Sequence, residues 1–182
     1  LVPEANITLW NSGTLSCPFG WQVEEAAHML KAGAALEDIL ARLAVLREQV
    51  QGMFTLESLK YLIHGGRISH IKGLMASVLN IKPVIYVEKK EGKYAQAGQH
   101  ITMKRAINAM SDQVENWYGE AASIRLQLLH GHNPAGLEML KERMSSKFEI
   151  TWLPPMPIAA VLGAHTGPSM VGMAVGPASL FA

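Results

Sequence analysis

Apolar residues recur every three or four positions along much of the chain, which is the spacing of one face of an α-helix. The first such stretch predicts a helix that begins near Pro18, a residue suited to a first turn, and ends near Gly33. A second helix follows at once. The apolar stripes of the two helices are Val23, Ala26, Ala27 and Leu30, then Leu36, Ile39, Leu40, Leu43 and Leu46. Only one predicted strand, residues 6–10, precedes these helices, so we expect them to pack on more than that strand.

Beyond residue 50, strands and helices alternate. Segments that are rich in β-branched residues, or that alternate apolar and polar residues, predict strands over 53–56, 83–88, 94–98, 123–130, 148–153 and 169–175. Glu91-Gly92-Lys93 predicts a hairpin turn, and Pro154-Pro155 is expected to stop the strand before it. Helices are predicted over 57–63, 69–79, 103–117 and 133–144, with a short apolar helix or turn over 158–163. From Gly52 onward this order predicts an α/β fold in which helices cover a mixed β-sheet.

Composition and charge narrow the function. The 182 residues are 49% hydrophobic, enough for one ordinary domain or slightly more. Sixteen basic and fifteen acidic residues nearly cancel, so we do not expect the basic surface of a nucleic-acid-binding protein. No apolar run reaches the roughly 18 residues that span a bilayer, and the single cysteine, Cys17, indicates a reducing compartment, so we expect a cytoplasmic protein. The ten methionines fit either a methionine-rich core or an adaptable apolar lining.

Three polar motifs have two interpretations each. Gly65-Gly66-Arg67 joins two predicted helices, and its amides fit either an anion-binding nest or a glycine cap at a helix end. His130-Gly131-His132 lacks the further ligands of a metal site, so we expect solvated histidines and no metal. The hydroxyls of Ser12, Thr14 and Ser16 lack the strand–serine–helix elbow of a hydrolase, and turn or capping roles explain them equally well.

The motif His165-Thr166-Gly167-Pro168 is the strongest candidate site. Gly163 and Gly167 flank the histidine and would let the backbone approach a ligand closely. An imidazole N–H and a threonine hydroxyl together can hold a carboxylate or a phosphate oxygen. A buried histidine bonded to backbone is the equally simple alternative. As a general base, the same histidine would serve a small acyl or phosphoryl hydrolase or transferase, whose nucleophile would be Thr166, Ser169 or Ser12.

Several segments, in this order, resemble the DegV family. They are Asn11 to Ser16 (NSGTLS), Leu59 to Leu62 (LKYL), Gly65 to Ser69 (GGRIS), Leu79 to Pro83 (LNIKP) and His165 to Pro168 (HTGP). The resemblance covers essentially the whole chain. It implies a fatty-acid-binding protein of two α/β domains that buries the acyl chain in a tunnel and presents the acid to a fatty-acid kinase for acyl-phosphate formation. On this resemblance the chain binds lipid and is not an enzyme.

The resemblance also implies roles for particular residues. The ligand-binding residues that it implies are His165, Thr166, Gly167, Ser12 and Ile81. The carboxylate is expected near His165, and Arg67 at the surface that docks the kinase. The helix predicted over 71–79, together with Ile158 and Val161, is expected to line the tunnel.

The chain departs from the family pattern in two respects. Family members carry a further N-terminal segment with a hydroxyl-rich loop that helps to hold the carboxylate, so residues 1–51 resemble a remnant of the first domain and residues 52–182 the second. Asn11 stands where the family commonly has Asp, and Ser169 where it usually has Gly. Because a tunnel between two domains would then lack a wall, we expect the chain either to bind fatty acid poorly alone or to recover the wall by self-association. The expected exposed apolar faces of the first two helices favour self-association.

Overall fold

The computed structural model describes residues 4, 6–68, 71 and 80–181. These residues form six α-helices, α1 Ser16–Lys31, α2 Leu36–Gln49, α3 Lys60–His64, α4 Met103–Tyr118, α5 Pro134–Ser145 and α6 Ala160–Thr166. They also form six strands, β1 Gln51–Thr55, β2 Lys82–Glu88, β3 Lys93–His100, β4 Ser123–His130, β5 Glu149–Pro157 and β6 Val171–Pro177. A short 3₁₀-helix, Ala178–Phe181, follows the last strand.

All six strands lie in one mixed sheet with the order β3-β2-β1-β6-β4-β5. β4 and β5 run parallel, and the other neighbouring strands are antiparallel. The hairpin predicted around Gly92 is β2–β3 and forms one edge, and β5 forms the other. The predicted fold class, a mixed sheet covered by helices, is therefore confirmed.

One face of the sheet, which we call the α4 face, is covered by α4 and α5 and holds a dense apolar core. Successive residues of a strand point to opposite faces, and β4 sends Ile124, Leu126 and Leu128 to this side. Both helices begin at side-chain caps: the Thr102 hydroxyl accepts from Arg105 N, and Asn133 Oδ1 accepts from Gly136 N. The predicted cap at Asn133-Pro134 is thus confirmed.

The opposite face, which we call the α1 face, is covered by α1 and α2, with α3 and α6 beside them. To this side β6 turns the small residues Gly172 and Ala174, and β1 turns Gly52 and Phe54, the latter in the apolar cluster beneath α3. A Cβ atom placed on Gly52 would lie 2.9 Å from Cγ of Pro18, so α1 comes this close only because residue 52 is glycine. Trp21 of α1 and Leu46 of α2 pack in one cluster with Ala174 of β6.

The structure corrects three sequence predictions. Residues 6–10 do not form a strand, and Leu9 is 91% exposed. β5 does not stop at Pro154-Pro155 but continues to Pro157, which an edge strand tolerates because one side of it needs no hydrogen-bond partners. The stripe predicted to bury α1 faces solvent instead, with Val23 53% and Leu30 68% exposed, and the helix buries Pro18, Trp21 and Gln22.

Two further predictions concern the helix after α3 and the division of the chain into domains. The helix predicted from Ser69 to Leu79 lies outside the described residues apart from Ile71, which is buried. α1 and α2 pack on the same sheet as the rest of the chain, and the division into domains at residues 1–51 and 52–182 stays a prediction.

Candidate functional site

His165 lies at the end of α6, where that helix meets α3. A Cβ atom placed on Gly65 would lie 2.1 Å from Nδ1 of His165, so the imidazole rests against a bare backbone carbon. Among the described residues this buried Nδ1 has no hydrogen-bond partner. The two motifs that stood about a hundred positions apart in the sequence therefore form one contact, and any side chain at position 65 would displace the ring.

Gly65-Gly66-Arg67 is the C-terminal cap of α3. Gly66 N donates to Ile63 O at 3.0 Å and Arg67 N donates to Leu62 O at 2.9 Å, while Gly66 takes a φ of +68°. This is the paired hydrogen-bond pattern of a glycine helix cap. Because these amides are already occupied, the anion-nest interpretation is wrong and the helix-cap interpretation is confirmed.

Gly167 serves packing within the protein. Its φ is +77°, and a Cβ atom there would lie 2.2 Å from the Tyr61 ring, so residue 167 lets α6 close against α3. Thr166 is only 3% exposed, and its hydroxyl donates to Leu162 O at 3.1 Å. The Thr166 hydroxyl oxygen can still accept a hydrogen bond, but its proton is already donated within α6.

His165 lines an open groove of about 420 Å³. We call this space the mouth groove; its lining residues are Leu15, Arg67, Gly92, Lys93, Tyr94, Val161, Leu162 and His165. Within the described part of the chain no carboxylate lines it, although exposed Lys93 forms an ion pair of 2.9 Å with Glu91. Burial raises the pKa of Tyr94, and the nearby positive charge of Arg67 opposes that rise. The groove therefore favours an anion.

An apolar cavity of about 30 Å³ adjoins the mouth groove. The two spaces share Leu15, Tyr94 and Leu162. The inner cavity, as we call it, lies between the start of α1 and the sheet, and it is lined by Thr14, Leu15, Ser16, Pro18, Gly52, Met53, Phe54, Val87, Tyr94, Leu129, Leu162, Thr166, Met170 and Met173. The lining is almost entirely apolar, and the unbranched side chain of Met170, which lies on the α1 face, can change shape.

A third space, of about 650 Å³, lies on the other side of α1, against β4 and β5. We call it the far groove; it shares Ser16 and Leu129 with the inner cavity. The shared lining residues therefore place the inner cavity between the mouth groove and the far groove, beside the first turn of α1. We call the line through these three spaces the path.

The remaining predicted site residues lie elsewhere. The Ser12 hydroxyl donates to Thr14 O at 3.2 Å in a turn that Gln22 holds by donating to Ser12 O, and Ser12 does not line any of the three spaces. Ile81 is 8% exposed in the apolar cluster beneath α3. Val161 does line the mouth groove. His132 is exposed, and no group of three potential metal ligands occurs among the described residues.

Sequence reasoning missed two sets of lining residues. Lys93 and Tyr94 reach the mouth groove because the β2–β3 hairpin brings them there, and no local pattern marks them. The start of α1 supplies Thr14, Leu15 and Ser16, where only the neighbouring Ser12 was assigned a ligand-binding role.

In the residues that the structure describes, no helix is both long and apolar enough to span a membrane.

Known proteins share both the sequence and the fold. The family model described as "uncharacterised protein, DegV family" matches residues 1–178. A DegV domain-containing protein of Deinococcus radiodurans is 33% identical over 171 residues, which are 94% of this chain and 60% of that protein. This chain thus spans about three fifths of the curated relatives' length.

Solved structures agree. The structure described as fatty acid binding of a DegV family protein, from Thermus thermophilus, superposes with a TM-score of 0.82 at 26% identity, over 96% of this chain and 62% of that one. A DegV lipid binding protein from Thermotoga maritima shares the fold, with a TM-score of 0.81 at 22% identity over 96% and 61% of the two chains. The match of nearly the whole chain to the family model and the 33% identity to a relative lead to one conclusion: this chain belongs to the DegV family.

Proposed function

We propose that this chain binds a long-chain fatty acid, with the carboxylate in the mouth groove near His165 and the acyl chain in the inner cavity. One observation carries the proposal: a groove with Arg67, Lys93 and His165 lies beside an apolar cavity, and the two spaces have three lining residues in common. A fatty acid has the same arrangement, with one anionic end and one long apolar end. The fatty acids bound by DegV proteins of known structure support the same ligand class.

The energetics favour such a ligand. Burying a methylene contributes about 0.8 kcal/mol, so fourteen methylenes offer on the order of 11 kcal/mol before the losses of ligand freedom. The carboxylate must keep polar partners, since an unpaired buried charge would cancel much of this gain. A half-exposed groove with His165, Arg67 and solvent supplies those partners.

The inner cavity has to widen when the acid binds. At about 30 Å³ it is much smaller than the roughly 300–1,000 Å³ of typical ligand pockets. Met170 lines it from the α1 face, and an unbranched methionine side chain rearranges easily, whereas the side chains of Met53 and Met173 belong to the core of the α4 face. The first turn of α1 forms the outer wall, so a small outward shift of this turn would join the inner cavity to the far groove.

We further propose that a separate fatty-acid kinase receives the bound acid and phosphorylates its carboxylate. The mouth groove supports this step because it keeps the head group at the surface, next to exposed Arg67. The hydrolase alternative gains no support, since the Ser12 and Thr166 hydroxyls both donate to backbone carbonyls. Ser169 Oγ instead accepts from Glu57 N, and Ser169 does not line the mouth groove with His165.

Native mass spectrometry with palmitate tests the binding proposal. We expect a one-to-one complex, and we expect His165→Ala to weaken it by about 10- to 100-fold, the worth of a hydrogen bond to a charged group. His132→Ala is the matched control, because His132 is exposed and lines none of the three spaces. With a fatty-acid kinase added, Arg67→Ala should reduce acyl-phosphate formation more than it reduces binding. A wild-type chain that takes up no acid, or equal affinities for the two histidine variants, contradicts the proposal.

A further inference from the structure

We infer that the hydrogen-bonded pair Trp21–Gln127, backed by Arg125, is the end wall that limits the length of the acyl chain. This inference rests on the proposed function, because it assumes that an acyl chain enters the inner cavity from the mouth groove. A longer chain then continues from the inner cavity toward the far groove. It passes Ser16 and Leu129, which the inner cavity and the far groove share.

Trp21 and Gln127 stand at the inner side of the far groove. Trp21 Nε1 donates to Gln127 Oε1 at 2.9 Å, and Gln127 Nε2 donates to Pro154 O at 3.1 Å. The two side chains are 3% and 8% exposed. A buried amide with donor and acceptor both satisfied is held in one orientation, since turning it would break both hydrogen bonds. The pair therefore forms a fixed wall, in contrast to the adaptable Met170 side chain of the inner cavity.

Charged groups stand next to this wall, since Glu24 and Arg125 line the far groove together with Trp21 and Gln127. The Arg125 guanidinium lies 4.9 Å from the Trp21 ring centre and 4.2 Å from the Phe181 ring centre, and 3.6 Å from a Glu24 carboxylate oxygen. Glu24, Arg125 and Trp21 also line the next space, together with Glu25, His28 and Arg42. A methyl end that passed Trp21 would enter a region of charged groups, where it gains little from burial and desolvates the charges.

The order of these features along one path predicts a chain-length optimum. Each added methylene should raise the affinity about fourfold while it enters apolar surroundings. The gain should stop once the methyl end reaches Gln127 and Trp21. Gln127 is therefore a specificity-determining residue whose position inside β4 fixes the depth of the site.

Affinities for saturated acids of increasing chain length test the inference. In the double variant Trp21→Phe/Gln127→Ala both partners of the hydrogen bond are removed, so neither is left unpaired, and space opens at the end of the path. We expect its optimum to move to acids at least two carbons longer, with unchanged affinity for shorter acids. Tyr118→Phe is the matched control: it loses hydrogen bonds from the Tyr118 hydroxyl to Gln49 O and Val175 O but touches none of the three spaces, so its optimum should stay.

A labelling experiment on the unmodified chain gives an independent test. A fatty acid with a photoreactive diazirine at its terminal carbon should label the segment 17–21 of α1 or 125–129 of β4. Labels confined to the mouth groove, or an optimum that the double variant leaves unshifted while binding persists, overturn the end-wall inference alone. A wild-type chain that binds no acid overturns the proposed function and this inference with it.

Discussion

The two faces of this sheet are built from the same strands but have different interiors. On the α4 face the side chains of β4, β6 and α4 interlock, and Ile107, Met110, Val114, Leu126 and Val175 are all completely buried. On the α1 face the apolar residues separate into two clusters, with the inner cavity and the far groove beside the first turns of α1. One face is closely packed and stabilises the fold, and the other leaves space for a ligand.

The alternation within β6 shows how one strand serves both purposes. Val171, Met173 and Val175 belong to the core of the α4 face. The residues between them, Gly172 and Ala174, are small, and a Cβ atom on Gly172 would lie 2.8 Å from Cβ of Phe54. Small residues let α1 and α2 approach the sheet, and Ala174 packs directly with Trp21 and Leu46. The alternation along β6 therefore gives one face a dense core and the other face closely approaching helices.

The largest expected effect compares leucines from the two faces. Leu126→Ala should lower the free energy of unfolding by about 2–5 kcal/mol, because Leu126 is fully buried and its neighbours can close the resulting cavity only in part. Leu162→Ala should cost only about 1 kcal/mol, since Leu162 is half-buried and already borders open space, yet it should weaken fatty-acid binding. Urea unfolding and palmitate titration measure both quantities. Equal stability losses would show that the α1 face is packed as closely as the α4 face.

A second, smaller effect concerns Lys89, which lies beside α2 at the end of the β2–β3 hairpin. Burial lowers the pKa of Lys89 to about 8. The nearby carboxylate of Glu48 opposes this shift, and the positive charge of Arg47 adds to it. The Lys89 ammonium also donates a hydrogen bond to Glu48 O. Because the folded protein then binds fewer protons than the unfolded chain between about pH 8 and pH 10, stability should rise with pH in that window. We expect a gain of about 1 kcal/mol, since water still screens the half-buried group.

Chemical unfolding of the wild type and of Lys89→Met across this pH range isolates the effect. The variant lacks the titrating group, so the difference between the two curves should grow in favour of the wild type from pH 8 to pH 10. A constant difference would mean that the ammonium is solvated and that this part of the α1 side is more open than the structure shows.

Sequence patterns predicted the α4 face much better than the α1 face. The alternation in β4 and the spacing of Ile107, Met110 and Val114 in α4 report one buried side, and both elements lie where they were predicted. In α1 the same spacing failed, because Val23 and Leu30 face solvent while Trp21 and Gln22 are buried. Periodicity identifies an apolar stripe but not the surface that covers it.

The sequence predicted the candidate site only in part, because local motifs do not show which elements pack together. The resemblance singled out His165 and Gly65-Gly66-Arg67 separately, yet their contact depends on how α3 and α6 meet, which no local pattern contains. Lys93 and Tyr94 enter the mouth groove through the hairpin β2–β3, so their role depends on tertiary structure alone. The Ser12 assignment stays a prediction, with Thr14 and Ser16 now lining the inner cavity in its vicinity.

The smallest expected effect examines a polar group within the otherwise apolar α4 face. Ser111 is completely buried in α4, and among the described residues its hydroxyl has no hydrogen-bond partner. Ser111→Ala removes an unsatisfied group and places the best helix former at an interior helical position, so stability should stay within about 0.5 kcal/mol or rise slightly. Thermal unfolding measures this change in stability. Thr102→Ala serves as a comparison, because it removes the cap of the same helix and should cost about 1 kcal/mol. A clear loss for Ser111→Ala would mean that a buried water satisfies this hydroxyl, and the α4 face would then not be dry.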